Sequence, residues 1–140
     1  MIEMTLEIAE RAARAAQVKA REMGAPMTVS VVDEGGRLVL CARADGTGFL
    51  TPETSRAKAV AAAAFRKPTS ALAEQRVAHP AFWETMPTIV RGEALPSPGG
   101  TPMVRGGRVI GGIGCGGGTG EQDQVCSDAG AKAVADAKAS

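Results

Sequence analysis

Seven of the ten residues from Gly111 to Gly120 are glycine, in the order Gly-Gly-Ile-Gly-Cys-Gly-Gly-Gly-Thr-Gly. No other stretch of the 140-residue chain restricts its fold as tightly. A run without Cβ atoms belongs where a ligand or a second backbone comes too close for a side chain. The run continues the apolar segment Arg108-Val109-Ile110 and leads into a helix. Thr119 reads as the N-cap of that helix, with Gln122 completing a capping box. Strand, glycine loop and helix N-terminus together can hold an anion through backbone N–H groups. The same layout serves any tight strand-to-helix connection. The run is not a P-loop, because no Lys-Ser/Thr follows, and not a dinucleotide fingerprint, because a βαβ context is missing.

The remaining elements follow from periodicity. Residues Thr5 to Met23 form a helix with Ile8, Ala9, Ala12, Ala13, Ala16, Ala20 and Met23 on one side. Glu7–Arg11 and Glu10–Arg14 pair on the other. Met27 to Val32 alternates as a half-buried strand does, Asp33 to Gly36 is a hairpin turn, and Arg37 to Arg43 is the return strand. Thr51-Pro52 reads as N-cap and first position of a second helix, with Ala57, Val60, Ala61, Ala64 and Phe65 as its buried stripe. Pro68 ends it, and Thr69 or Ser70 caps a shorter helix that His79-Pro80 breaks. Two further strands, Pro102–Arg105 and Arg108–Cys115, turn at Gly106-Gly107, and a last helix runs from about Gly120 to Lys138. Two antiparallel hairpins among helices define one α+β domain, a sheet layered with helices.

Composition narrows the function. The net charge is +1, so no nucleic-acid footprint is expected. No run of about 18 apolar residues suggests a membrane span. Without a signal-peptide pattern, and with three cysteines at no redox or metal spacing, free thiols and a cytoplasmic location are expected. The core is built from small residues: three Phe, one Trp and no Tyr.

Five residues stand out chemically. Lys58 sits at the edge of the second helix's stripe, where it either snorkels to water or binds a carboxylate. Asp123 lies in the first turn of the last helix, either as a dipole partner or facing a site at the glycine run. His79, the lone histidine, is either a surface residue or an axial ligand or base, with Met86 as a further soft donor or a packing residue. Cys115 enters the glycine loop beside a helix N-terminus, a position that lowers a thiol pKa.

The ordered motifs resemble the GlcG/HbpS-like family, to which the C-terminal domain of PduO-type proteins belongs. They are Val31-Val32-Asp33-Glu34-Gly35-Gly36, Ser55-Arg56-Ala57-Lys58-Ala59, Gly99-Gly100-Thr101-Pro102-Met103-Val104, Gly107 to Gly114, and Gly120-Glu121-Gln122-Asp123. The resemblance covers nearly the whole chain. It implies a five-stranded antiparallel sheet with helices on both faces, a profilin-like α-β-α sandwich. It also implies a homo-oligomer, dimer to octamer, and haem or a related tetrapyrrole as ligand in some members. Lys58 matches the family's lysine in the second helix, where a haem propionate could bind, and Asp123 matches its acidic position after the glycine segment.

The leading expectation is therefore a small-molecule-binding oligomer whose ligand is haem or another tetrapyrrole. Lys58, His79, Gly114, Cys115, Glu121 and Asp123 are its candidate binding residues, with His79 as axial ligand. One alternative is an enzyme, a lyase, isomerase or hydrolase acting on a small carboxylic acid. There Lys58 and the helix start at Gly120 would bind substrate, while Asp123, Glu121 or Cys115 would move a proton. Another is an accessory protein of a metabolic enzyme complex.

Overall fold

The computed structural model describes residues 3–135. Its elements run α1 (Leu6–Glu22), β1 (Thr28–Asp33), β2 (Leu38–Ala42), α2 (Thr51–Phe65), α3 (Thr69–Ala78), α4 (Pro80–Val90), β3 (Gly100–Arg105), β4 (Arg108–Gly116) and α5 (Gly120–Val134). Residues 136–138, included in the expected last helix, lie outside the described residues.

The strands form one antiparallel sheet in the order β2-β1-β4-β3. It has four strands among the described residues, not the five that the family resemblance implies. The segment before β3 does not extend it: Pro96 and Pro98 lack the N–H groups a further ladder would need. Helices α1 and α5 pack together on one face, and α2 covers the other.

Strand alternation assigns the residues to these layers. Val29 and Val31 of β1, with Ile113 and Cys115 of β4, join the core under α1 and α5. Thr28, Ser30 and Val32 face α2 instead: Thr28 Oγ1 lies 2.8 Å from Thr51 Oγ1, Ser30 Oγ 2.8 Å from Ser55 Oγ, and Val32 packs on Ala59. The expected half-buried strand is thus buried on both faces, its polar positions meeting hydroxyls rather than water.

The glycine run is mostly strand. Gly111 to Gly116 belong to β4, paired with β1 on one side and, through Gly114, with β3 on the other. Gly112, Gly114 and Gly116 form the floor on which α2 rests. A Cβ at Gly112 would run into the Ala59 carbonyl oxygen, and one at Gly114 into that of Ser55. The second backbone that these glycines admit is a helix. Gly117 (φ +132°) and Gly118 complete the turn into α5, where Thr119 and Gln122 form the expected capping box.

The same floor rotates α2 away from the expected stripe. Its buried residues are Ser55, Lys58, Ala59, Ala61, Ala62 and Ala63, whereas Ala57, Val60 and Phe65 are half-buried and Ala64 is exposed. The small face turns to the glycines because bulkier side chains do not fit there. The expected hydroxyl caps of α2 and α3 are also spent elsewhere. Leu50 is the α2 N-cap, and the Thr51 hydroxyl donates to the Gly48 carbonyl. Pro68 precedes α3, and Thr69 Oγ1 accepts from Gly100 N at 2.7 Å.

Candidate functional site

Lys58 lies within one turn of Ser55 on the buried side of α2, and its side chain is 7 % exposed. The ammonium runs to the end of β4, where Nζ donates to the Cys115 carbonyl at 3.0 Å and to Asp123 Oδ2 at 2.8 Å. Asp123 comes from the first turn of α5, on the opposite face of the sheet, and is 5 % exposed. Its Oδ1 accepts from the Gly118 amide at 2.9 Å. A lysine on one layer and an aspartate on the other therefore meet around the end of the sheet.

The pair is tightly covered. Gly99 (φ +127°) lies against it, and a Cβ there would stand 2.8 Å from Asp123 Cβ and 2.9 Å from Lys58 Nζ. Burial pushes the Asp123 carboxyl above its ordinary value, against the Lys58 hydrogen bond, the Lys58 charge and the Gly118 N–H, which pull it down. Burial also raises the Cys115 thiol well above 9.0, helped by Cys126 and Asp123, and pushes Cys126 up to about 11. The thiol-lowering effect expected for Cys115 at a helix N-terminus is overridden because its side chain points into the core under α1 and α5.

The structure thus brings Lys58, Cys115 and Asp123 together, with Gly114 next to Cys115 beneath α2. Glu121 and His79 are apart from this network: Glu121 is exposed on α5, and His79 is exposed at the junction of α3 and α4. Met86 packs with Trp83 and Leu72 in a separate apolar cluster.

Sequence reasoning missed Gln124. Its Oε1 accepts from Gly99 N at 2.8 Å and Ser70 N at 3.2 Å, while Nε2 donates to the Gly100 carbonyl at 3.0 Å. One side chain thereby ties α5 to the start of α3 and to the chain covering the ion pair. The available signal was Gly99-Gly100, a pair of glycines opening a strand.

Comparison with known proteins places the chain in a family and a fold. The family described as "Haem degrading protein HbpS-like" matches residues 4–132. A Citrobacter freundii protein, described as an uncharacterized 15.0 kDa protein in the dhaT-dhaS intergenic region, is 32 % identical over 125 residues. The match covers 89 % of this chain and 87 % of that one. A double mutant of Streptomyces reticuli HbpS superposes with a TM-score of 0.84 at 34 % identity, covering 94 % of this chain and 87 % of that one. The PduOC–haem complex superposes with a TM-score of 0.83 at 26 % identity, covering 94 % and 95 %. The fold is that of a small α/β/α sandwich whose solved relatives include a haem complex. The chain belongs to the HbpS-like family.

Proposed function

We propose that this protein binds haem or a related tetrapyrrole and works as a homo-oligomer. The observation carrying this reading is the match of nearly the whole chain to the fold of a haem complex. The candidate residues differ in what they offer such a ligand. Lys58 has its ammonium engaged by Asp123 and Cys115 and covered by Gly99, so a propionate would reach it only by displacing Asp123. His79 is exposed, and no hydrogen bond holds its imidazole among the described residues, so it is free to ligate iron. Haem, when bound, supplies redox-active iron whose properties its axial ligand tunes.

Assembly is supported by large apolar side chains left in the open: Phe49 at 79 %, Val77 at 81 % and Ile89 at 69 % exposure. Among the described residues no helix is long and apolar enough to cross a membrane. The decisive experiment is a haemin titration followed by absorption, on wild type and His79→Ala. A saturable Soret change that His79→Ala weakens is expected. Absence of any saturable change in the wild type would overturn the reading.

A further inference from the structure

Helix α4 is fastened to its own molecule along one narrow line. Of its eleven residues only Trp83 is buried, with its ring centre 5.1 Å from that of Phe65 and 5.2 Å from that of Phe82. Met86 and Val90 follow at i+3 and i+7 and are half-buried. The opposite side of the helix is a ridge of small residues, Ala81, Thr85 and Thr88, all exposed. The Thr85 hydroxyl turns back on its own helix and donates to the Phe82 carbonyl at 2.8 Å, so it needs no polar partner outside. Phe82 and Ile89, 50 % and 69 % exposed, run along one flank of the ridge. Glu84 and Arg91 stand along the other flank, and neither makes an ion pair among the described residues.

Resting on the homo-oligomer reading, we propose that α4 packs antiparallel against α4 of a second copy, about a two-fold axis that passes between Thr85 and Thr88. The small ridge lets the two helices approach closely. Symmetry then decides what meets, because in a two-fold antiparallel pair each flank faces its own counterpart. Phe82 of one copy comes beside Ile89 of the other, twice, and the four apolar side chains leave water together. On the other flank Glu84 of one copy comes beside Arg91 of the other, again twice. Glu84 lies in the first half of the helix and Arg91 is its C-cap, so the charges complement each other only when the second helix is reversed. A parallel pair would set acid on acid and base on base, which opposes it. This self-complementarity of charge, on a helix with an apolar flank and few contacts of its own, identifies the occupant as another copy of the chain.

The test is sedimentation over a range of concentrations. It compares wild type, Thr85→Arg, Glu84→Arg, Arg91→Glu, the variant carrying both charge changes, and an equimolar mixture of the two single charge variants. Wild type is expected to associate. In Thr85→Arg, and in each single charge variant alone, the concentration at which copies pair should rise roughly tenfold or more, because like charges then meet across the axis. The double charge variant and the mixture should pair as wild type does, since an acid again faces a base. Recovery on mixing also shows that the single variants are folded. Wild-type association in Thr85→Arg and in both single charge variants would overturn this interface and leave assembly through another surface standing. Weakened single variants with no recovery in the double variant or in the mixture would overturn the antiparallel pairing. A wild type that is monomeric at every concentration would overturn both the interface and the homo-oligomer reading.

Discussion

Lys58 Nζ and Asp123 Oδ2 lie 2.8 Å apart across 65 residues of sequence, joining the helices on opposite faces of the sheet. Removing one partner strands the other charge in the interior, whereas removing both leaves a neutral gap. Lys58→Met and Asp123→Leu should each cost about 3–5 kcal/mol, and the double variant clearly less than their sum. Urea denaturation of the four proteins measures this cycle. A double variant as unstable as the sum of the singles would show the pair to be uncoupled.

The thiols set an alkaline limit. Well below pH 9 the Cys126 thiol is protonated in both folded and unfolded chains and contributes no pH dependence. Between 9 and about 11 the unfolded chain releases this proton while the folded chain retains it, so stability falls as pH rises through that window. Urea midpoints from pH 8 to 10.5 should decline less steeply in Cys126→Ala than in wild type. Equal slopes would show that Cys126 does not contribute.

The same burial predicts thiol reactivity. Cys41 is exposed, whereas Cys115 and Cys126 are buried. An aromatic disulfide reagent at pH 8 should modify one thiol per folded chain quickly and the other two only on unfolding. Fast reaction of two or three thiols in the native protein would contradict the packing described for β4 and α5.

Glycines in this chain are not interchangeable. Gly114→Ala drives a methyl into the Ser55 carbonyl and should cost about 1–3 kcal/mol or more, because helix and strand backbones must separate. Gly48→Ala meets nothing within 4 Å and should stay within about 0.5 kcal/mol of wild type. Thermal unfolding of the two proteins separates these outcomes, and equal midpoints would refute the account of the floor.

Gln124→Leu removes the acceptor of the Gly99 and Ser70 amides. A loss of about 1–3 kcal/mol is expected from these unsatisfied donors. Hydrogen exchange at the Gly99 amide should speed up more than at Cys115, whose amide keeps its bond to the Gly99 carbonyl. Unchanged exchange at Gly99 would rule out the clamp.

Elements whose pattern depends on local chemistry could be read directly. The α1 stripe from Ile8 to Ala20 is buried as its spacing predicts, and Thr5 and Thr119 both cap their helices. The phase of α2 could not be read, because it depends on what the helix rests upon. Alanine fills both sides of that helix, so periodicity alone does not choose between them. Only the missing side chains of Gly112 and Gly114, nearly 60 residues downstream, make the Ser55–Ala59 side the inner one. Lys58 was visible as a carboxylate binder, but its partner proved to be the chain's own Asp123. The tertiary grouping of Phe65 with Phe82 and Trp83 is formed by helix packing that no single window of sequence contains.

The bare floor of β4 has a consequence for how this chain can change over time. In most layered domains the spacing between helix and sheet drifts as intervening side chains are exchanged for larger or smaller ones. Here Gly112 and Gly114 leave nothing to exchange, and backbone atoms themselves fix the separation. Substitutions on the outer faces of the helices leave the distance that lets Lys58 reach Asp123 constant. The peptide unit itself therefore sets the dimensions of this part of the molecule.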